Sequence, residues 1–165
     1  ETGIALKSGE ALAADIIVTA TGFNLCPLGD VAFTVDGKAF DWGNSVGYRS
    51  AMFTGAPNMV WVCGYFRASW TLRTELLADF TCGLLNHMDM TGHKTAEVQL
   101  RDEDRDMPIS SWADTNDFNP GYILRGGHLM PKRGTKPEWQ ISQDYWAEKD
   151  HFKTVDYGDA AFVYQ

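Results

Sequence analysis

The sequence predicts an α/β domain made of a few buried strands, one long helix and an irregular C-terminal stretch. Residues 16–20, Ile16-Ile17-Val18-Thr19-Ala20, are a β-branched run without polar alternation, the pattern of a strand covered on both faces. Residues 59–64, Met59-Val60-Trp61-Val62-Cys63-Gly64, form a second buried-strand candidate. Beyond it Leu72, Leu76, Phe80 and Leu84 recur every four residues, and Leu77, Leu85 and Met88 widen the stripe. That spacing predicts a helix over residues 70–89.

The remaining elements follow from local chemistry. Residues 3–6 and 11–14 flank a Lys7-Ser8-Gly9 turn and predict a hairpin. Residues 31–35 and 38–42 flank Asp36-Gly37, a dipeptide suited to the positive φ angles of a type I′ turn. Gly55-Ala56-Pro57-Asn58 is the turn that feeds the second buried run. Ser69 is the expected N-cap of the long helix, Glu75 adds negative charge near its start, and Gly92 is the expected stop. Arg101-Asp102-Glu103-Asp104-Arg105-Asp106 reads as a solvated charge run. Pro108, Pro120 and Gly121 punctuate a loop-like stretch, and a last helix is expected over residues 140–152. The expected division is 1–92, holding the strands and long helix, and 93–165, an irregular extension contributing to a pocket and to packing.

Composition narrows the function. With 165 residues, 44% hydrophobic and 22% charged, the chain suits one globular core. A net charge of −8 argues against nucleic acid, which needs clustered Lys and Arg. The longest apolar run, residues 59–66, is too short to span a bilayer. The first residue is Glu1, and no signal-peptide pattern follows it. Cys26, Cys63 and Cys82, odd in number and widely spaced, read as reduced, small buried hydrophobes in a cytoplasmic protein.

Self-contained catalytic motifs are absent. There is no G-x-G-x-x-G, no phosphate-binding G-x-x-x-x-G-K-[ST], no C-x-x-C and no G-x-S-x-G. His87, His93, His128 and His151 lack metal-ligand spacing. What remains is a strand–turn–helix unit over residues 59–88. Its helix N-terminus offers free N–H groups and a partial positive charge, suited to an anionic ring edge or a phosphate.

Three segments together resemble one family. Asp15-Ile16-Ile17-Val18-Thr19-Ala20-Thr21-Gly22-Phe23 is similar to the D-x-x-V-x-A-T-G-[FY] segment of class B flavoprotein monooxygenases, which include the Baeyer–Villiger and flavin-containing monooxygenases. Gly55-Ala56-Pro57-Asn58-Met59, Gly64-Tyr65 and Ala68-Ser69-Trp70-Thr71-Leu72 resemble the subgroup containing the ethionamide-activating monooxygenase. So do Pro120-Gly121-Tyr122-Ile123-Leu124-Arg125, Leu129-Met130-Pro131-Lys132 and Gln143-Asp144-Tyr145 near the end.

The resemblance implies the C-terminal portion of such an enzyme: the last strands and long helix of an incomplete Rossmann-like FAD-binding domain. In such enzymes FAD and NADPH are held mostly by glycine-rich segments that should lie upstream of this chain. One oxygen atom of O2 passes, through a flavin C4a-peroxide, into a ketone or onto sulfur or nitrogen. The implied cofactor-binding residues are Gly64, Tyr65, Ser69, Trp70 and Thr71 beside the isoalloxazine ring, with Thr21 and Gly22 in the linker near both cofactor domains. Phe66 and Trp70 are the implied walls of a pocket for a small organic substrate. No catalytic residue is assigned within the chain. Arg67 and Arg73 are the nearest cations, Arg73 reading as a solvated helix residue. Gly29-Asp30 has the letters of a flavin-phosphate motif at the wrong position.

The isolated chain is expected to be inactive. It is also expected to associate with the upstream part of the same polypeptide, or with itself, through an exposed sheet edge. The alternatives are a fragment of another two-dinucleotide-domain flavin oxidoreductase, which a redox Cys pair would favour, or a non-catalytic module derived from one.

Overall fold

The computed structural model describes residues 2–165. It is α/β, with three α-helices among short two-stranded sheets. The first hairpin forms as expected: β1 (Gly3–Ala5) pairs antiparallel with β2 (Ala11–Ala13). The second, β3 (Thr34–Val35) with β4 (Lys38–Ala39), closes on Asp36 at φ 50° and Gly37 at φ 75°. Two consecutive positive φ angles match the right-handed twist of the flanking strands, which is why Asp-Gly stands there. β5 (Gly47–Tyr48) and β6 (Met52–Phe53) follow as a tight, fully buried hairpin.

The long helix α1 (Trp70–Thr91) is the scaffold of the molecule. Leu76, Leu77, Phe80, Leu84 and Met88 form its buried stripe, while Leu85, at the margin, is 54% exposed. Ser69 precedes it in extended conformation. Its hydroxyl bonds Thr71 Oγ1 at 2.7 Å rather than capping the helix backbone. Gly92, at φ 77°, stops it, and the N–H groups of Gly92 and His93 both turn back to the Met88 carbonyl.

β7 (Ala96–Val98) follows α1 in the chain, packs beside β6 and pairs antiparallel with the last strand of the chain. Then come β8 (Ser110–Ser111), α2 (Gly121–Gly126) and β9 (Lys132–Arg133), with β8 and β9 paired. The chain ends with α3 (Tyr145–Lys153) and β10 (Phe162–Tyr164). α3 starts five residues later than the expected span of 140–152. Asp144 sets the start, its Oδ1 accepting the N–H groups of Trp146 and Ala147. The main core gathers Tyr48 and Met52, the α1 stripe, Ala96 and Val98, Trp139, Phe152 and Phe162. It therefore draws on both sides of Gly92.

The two buried-strand candidates do not form strands among the described residues. Residues 16–20 run outside any ladder, with Ile16 81% and Val18 82% exposed. Residues 59–63 are held by a single bond, Trp61 N–H to Ala51 O, with Asn58 N–H to Ala96 O just before them, rather than by a sheet. Among the described residues the five sheets are two-stranded and antiparallel. β-branched residues favour a pleated, packed surface, and no neighbouring edge is present here to supply one.

Three local expectations are corrected. Arg73 is buried, 3% exposed, because it has a buried partner described below. Cys26 and Cys82 are exposed and only Cys63 is buried; all three are free. The run 101–106 is not simply a solvated face, since Asp104 is fully buried. Asp104 receives Trp139 Nε1 at 2.9 Å and Arg101 Nη1 at 3.0 Å, and it also pairs with Lys136. Arg101 in turn reaches Glu138 and Asp159. Burial pushes the Asp104 carboxyl up, but Lys136, Trp139 and Arg101 outweigh that and hold it below the ordinary aspartate range.

Candidate functional site

The Cys63–Trp70 segment leads into the start of α1 and carries most of the residues singled out by sequence. Gly64 and Tyr65 are buried, Phe66 is half-buried, and Ser69, Trp70 and Thr71 are exposed. Gly64 is required by a close approach. A Cβ there would lie 2.6 Å from the Trp70 Cα and overlap its Cγ. Gly64→Ala is accordingly expected to displace the helix start and destabilise the chain by about 1–3 kcal/mol, read by urea denaturation.

Tyr65 turns inward. Its hydroxyl donates to Glu148 Oε2 at 2.5 Å. Glu148, on α3, accepts Arg73 Nε at 3.1 Å on both oxygens. Arg73 Nη1 donates to the Cys63 carbonyl at 2.7 Å, and Nη2 to that of Arg49 at 2.6 Å. One buried ion pair thus ties the loop before α1 to α1, to α3 and to the β5–β6 turn. Burial, reinforced by Glu148, pushes the Tyr65 hydroxyl far above the ordinary tyrosine range, so it stays a neutral donor. Burial also pushes the Cys63 thiol up to about 11, against the opposing charge of Arg73. Cys63 is therefore a thiol, not a nucleophile, at neutral pH.

Phe66 points the other way. Its ring stacks on Phe118 at 4.3 Å and meets Trp112 edge-on at 5.1 Å. Its N–H donates to Gln143 Oε1 at 2.8 Å. Phe66 and Trp70 are brought together on one wall of a cavity of about 320 Å³, with Trp61, Trp112, Tyr122 and Met130 among the other lining residues. Among the described residues none that lines the cavity carries a charge. Arg67 points to the surface, where it pairs with Asp117. Thr21 and Gly22 are exposed on the extended segment and do not line the cavity. Among the described residues no cluster of His, Cys, Asp and Glu suits a metal ion.

Sequence reading missed Arg73–Glu148 and Trp112. Arg73 had a signal, lying one turn before Leu76 and Leu77 on the apolar stripe. Trp112 had only its place in an aromatic-rich irregular stretch.

No family model matches the chain, and no solved structure matches it. Relatives do. The chain is homologous, over most of its length, to part of the FAD-containing monooxygenases. It is 41% identical to the FAD-containing monooxygenase EthA of Mycobacterium tuberculosis over 145 residues, which cover 87% of this chain and 28% of that protein. It is 36% identical over 159 residues to a protein of Acinetobacter baylyi named "Probable FAD-binding monooxygenase AlmA", covering 96% of this chain and 31% of the relative. The chain thus spans less than a third of the length of these relatives.

Proposed function

We propose that this chain is the C-terminal part of an FAD- and NADPH-dependent monooxygenase of the Baeyer–Villiger type, and that it forms one wall of the substrate pocket beside the flavin. The observation that carries this reading is the uncharged aromatic cavity opening beside the exposed start of α1, in a chain homologous to FAD-containing monooxygenases. Bound flavin supplies the oxygen-transfer chemistry to a ketone, sulfur or nitrogen centre.

The residues present fit one edge of the isoalloxazine ring. The exposed first turn of α1 offers backbone N–H groups and its dipole, and Ser69 and Thr71 add hydroxyls. The buried Tyr65 hydroxyl and the Cys63 carbonyl hold that turn in place through Glu148 and Arg73. Phe66 and Trp70 exclude water from the reacting side. Thr21 and Gly22 serve the linker toward the cofactor domains. The chain has no pyrophosphate-binding loop, so flavin retention depends on upstream sequence.

The same reading explains the unpaired segments. Residues 16–20 and 59–63 become inner strands of a Rossmann-like FAD domain once upstream strands lie beside them. Ile16, Val18, Phe23 and Val62 are then covered by the rest of the polypeptide rather than by water. The three free cysteines support a cytoplasmic location. Among the described residues no helix is long and apolar enough to cross a membrane.

The test compares this chain with the longer reading frame that contains it. The longer protein is expected to purify with visible flavin absorbance and to consume NADPH and O2 when a ketone or thioether is added. The 165-residue chain alone is expected to hold no stoichiometric flavin and to show no NADPH oxidation. A longer protein without flavin, or a short chain with turnover, overturns the reading.

A further inference from the structure

We infer that Gln143 is a positioning residue: its side-chain carbonyl fixes the loop before α1 so that the Phe66 ring stands as a wall of the aromatic cavity. The inference rests on reading that cavity as the substrate pocket. The loop has little else to hold its backbone. Among the described residues, the Phe66 N–H is the one backbone donor between Val62 and Ser69 with a protein acceptor, and that acceptor is Gln143 Oε1 at 2.8 Å. A segment outside any ladder takes its course from such single bonds.

The acceptor is itself anchored. Gln143 Nε2 donates to the Ser142 carbonyl at 3.2 Å, and Ser142 Oγ accepts the Asp144 N–H at 3.1 Å. Asp144 caps α3, and α3 is locked to α1 by the buried pair of Glu148 and Arg73. α3 and its cap therefore reach the loop at three points. Gln143 takes the Phe66 N–H, Glu148 takes the Tyr65 hydroxyl, and Arg73 relays Glu148 to the Cys63 carbonyl. Of the three, Gln143 is the one that touches Phe66.

The 112–118 stretch meets the same loop, but its contacts are looser constraints. Phe118 stacks on the Phe66 ring and Trp112 meets it edge-on. Aromatic pairs are satisfied over centroid separations of roughly 4.5–7 Å, so they orient a ring without fixing its backbone. The Arg67–Asp117 pair beside it is 66% and 57% exposed, where water screens the attraction. A directional hydrogen bond at 2.8 Å is the narrower constraint. Gln143 is exposed and lies outside the hydrophobic clusters, so replacing it removes the bond without opening the core.

The test replaces Gln143 by Met, which keeps the length and removes the acceptor, and by Glu, which keeps an acceptor. In the 165-residue chain, Gln143→Met is expected to speed hydrogen exchange of the Phe66 amide about three- to tenfold, with the buried amides of α1 unchanged. Gln143→Glu is expected to restore most of the protection. Gln140→Met is the control, because Gln140 donates to the Thr135 carbonyl instead and should leave the Phe66 amide as it was. In the longer protein, Gln143→Met is expected to raise KM for thioanisole about three- to tenfold with kcat changed less, and Gln143→Glu to reverse the rise.

An unchanged Phe66 amide in Gln143→Met, a loss of protection that spreads to the α1 amides, or a loss that Gln143→Glu does not reverse overturns the inference. An unchanged KM does so as well. The outcome is separable from that of the oxygen-transfer reading. A longer protein that holds no flavin and oxidises no thioanisole defeats the monooxygenase proposal, and the Phe66 amide then decides the role of Gln143. Turnover with a Phe66 amide indifferent to Gln143 defeats only the positioning role.

Discussion

Glu148→Ala is expected to leave much of the chain unfolded under conditions where the parent is folded. The substitution removes the only carboxylate that faces the Arg73 guanidinium among the described residues, where that side chain is 3% exposed, and strips Tyr65 of its acceptor. A buried charge without its partner costs about 3–5 kcal/mol. A domain has only about 5–15 kcal/mol in total. Glu148→Gln should fall between, since the amide still accepts from Tyr65 but carries no charge. The double replacement Arg73→Met with Glu148→Leu is expected to recover most of the loss, because it removes both desolvated charges together. Urea midpoints of the single and double variants measure the coupling. Single-variant losses that merely add in the double would show that the pair does not act as a unit.

The second large effect belongs to Asp104, and its sign depends on pH. Asp104 is fully buried, and Lys136, Trp139 and Arg101 hold its carboxyl below the ordinary aspartate range despite burial. A carboxyl depressed in the native state contributes stability that is complete above its unfolded pKa, about 3.9. That stability is lost as pH falls through the native value. Asp104→Asn is therefore expected to cost about 1.5–3 kcal/mol at neutral pH, the range for hydrogen bonds to a charged group. The difference from the parent should shrink steadily below about pH 4. Chemical denaturation at neutral and acid pH measures both values. A gap that is constant across that range would mean that the lost interaction is packing, not charge. Asp159, held low by Arg101, titrates in the same direction and is present in both proteins, so it does not produce the difference.

Both pairs show how far the sequence could be read. The helix stripe, the Asp36-Gly37 hairpin and the Gly92 stop were legible because each depends on residues within one or two turns of chain. α1 ends where a residue tolerant of φ 77° stands, and no distant contact is needed to say so. Gly64, Tyr65, Phe66, Ser69, Trp70 and Thr71 are grouped by the family resemblance on a short stretch of chain, and they stand at one loop–helix junction.

What adjacency could not supply is direction. Tyr65 and Phe66 are neighbours in sequence, yet one turns to a buried carboxylate and the other to an aromatic cavity.

By itself the sequence determined the long helix, the first two hairpins, the aromatic residues Phe66 and Trp70 at the loop before that helix, and the resemblance to flavin monooxygenases. Tertiary structure alone decided the ion pairs and the strands. Arg73 meets Glu148 across 75 residues, and Asp104 meets Trp139 across 35, so their burial depends on packing that no local pattern records. The run at residues 16–20 shows the converse. Its β-branched side chains favour a strand, but a ladder needs hydrogen-bonding partners on a neighbouring edge, and among the described residues none lies beside it.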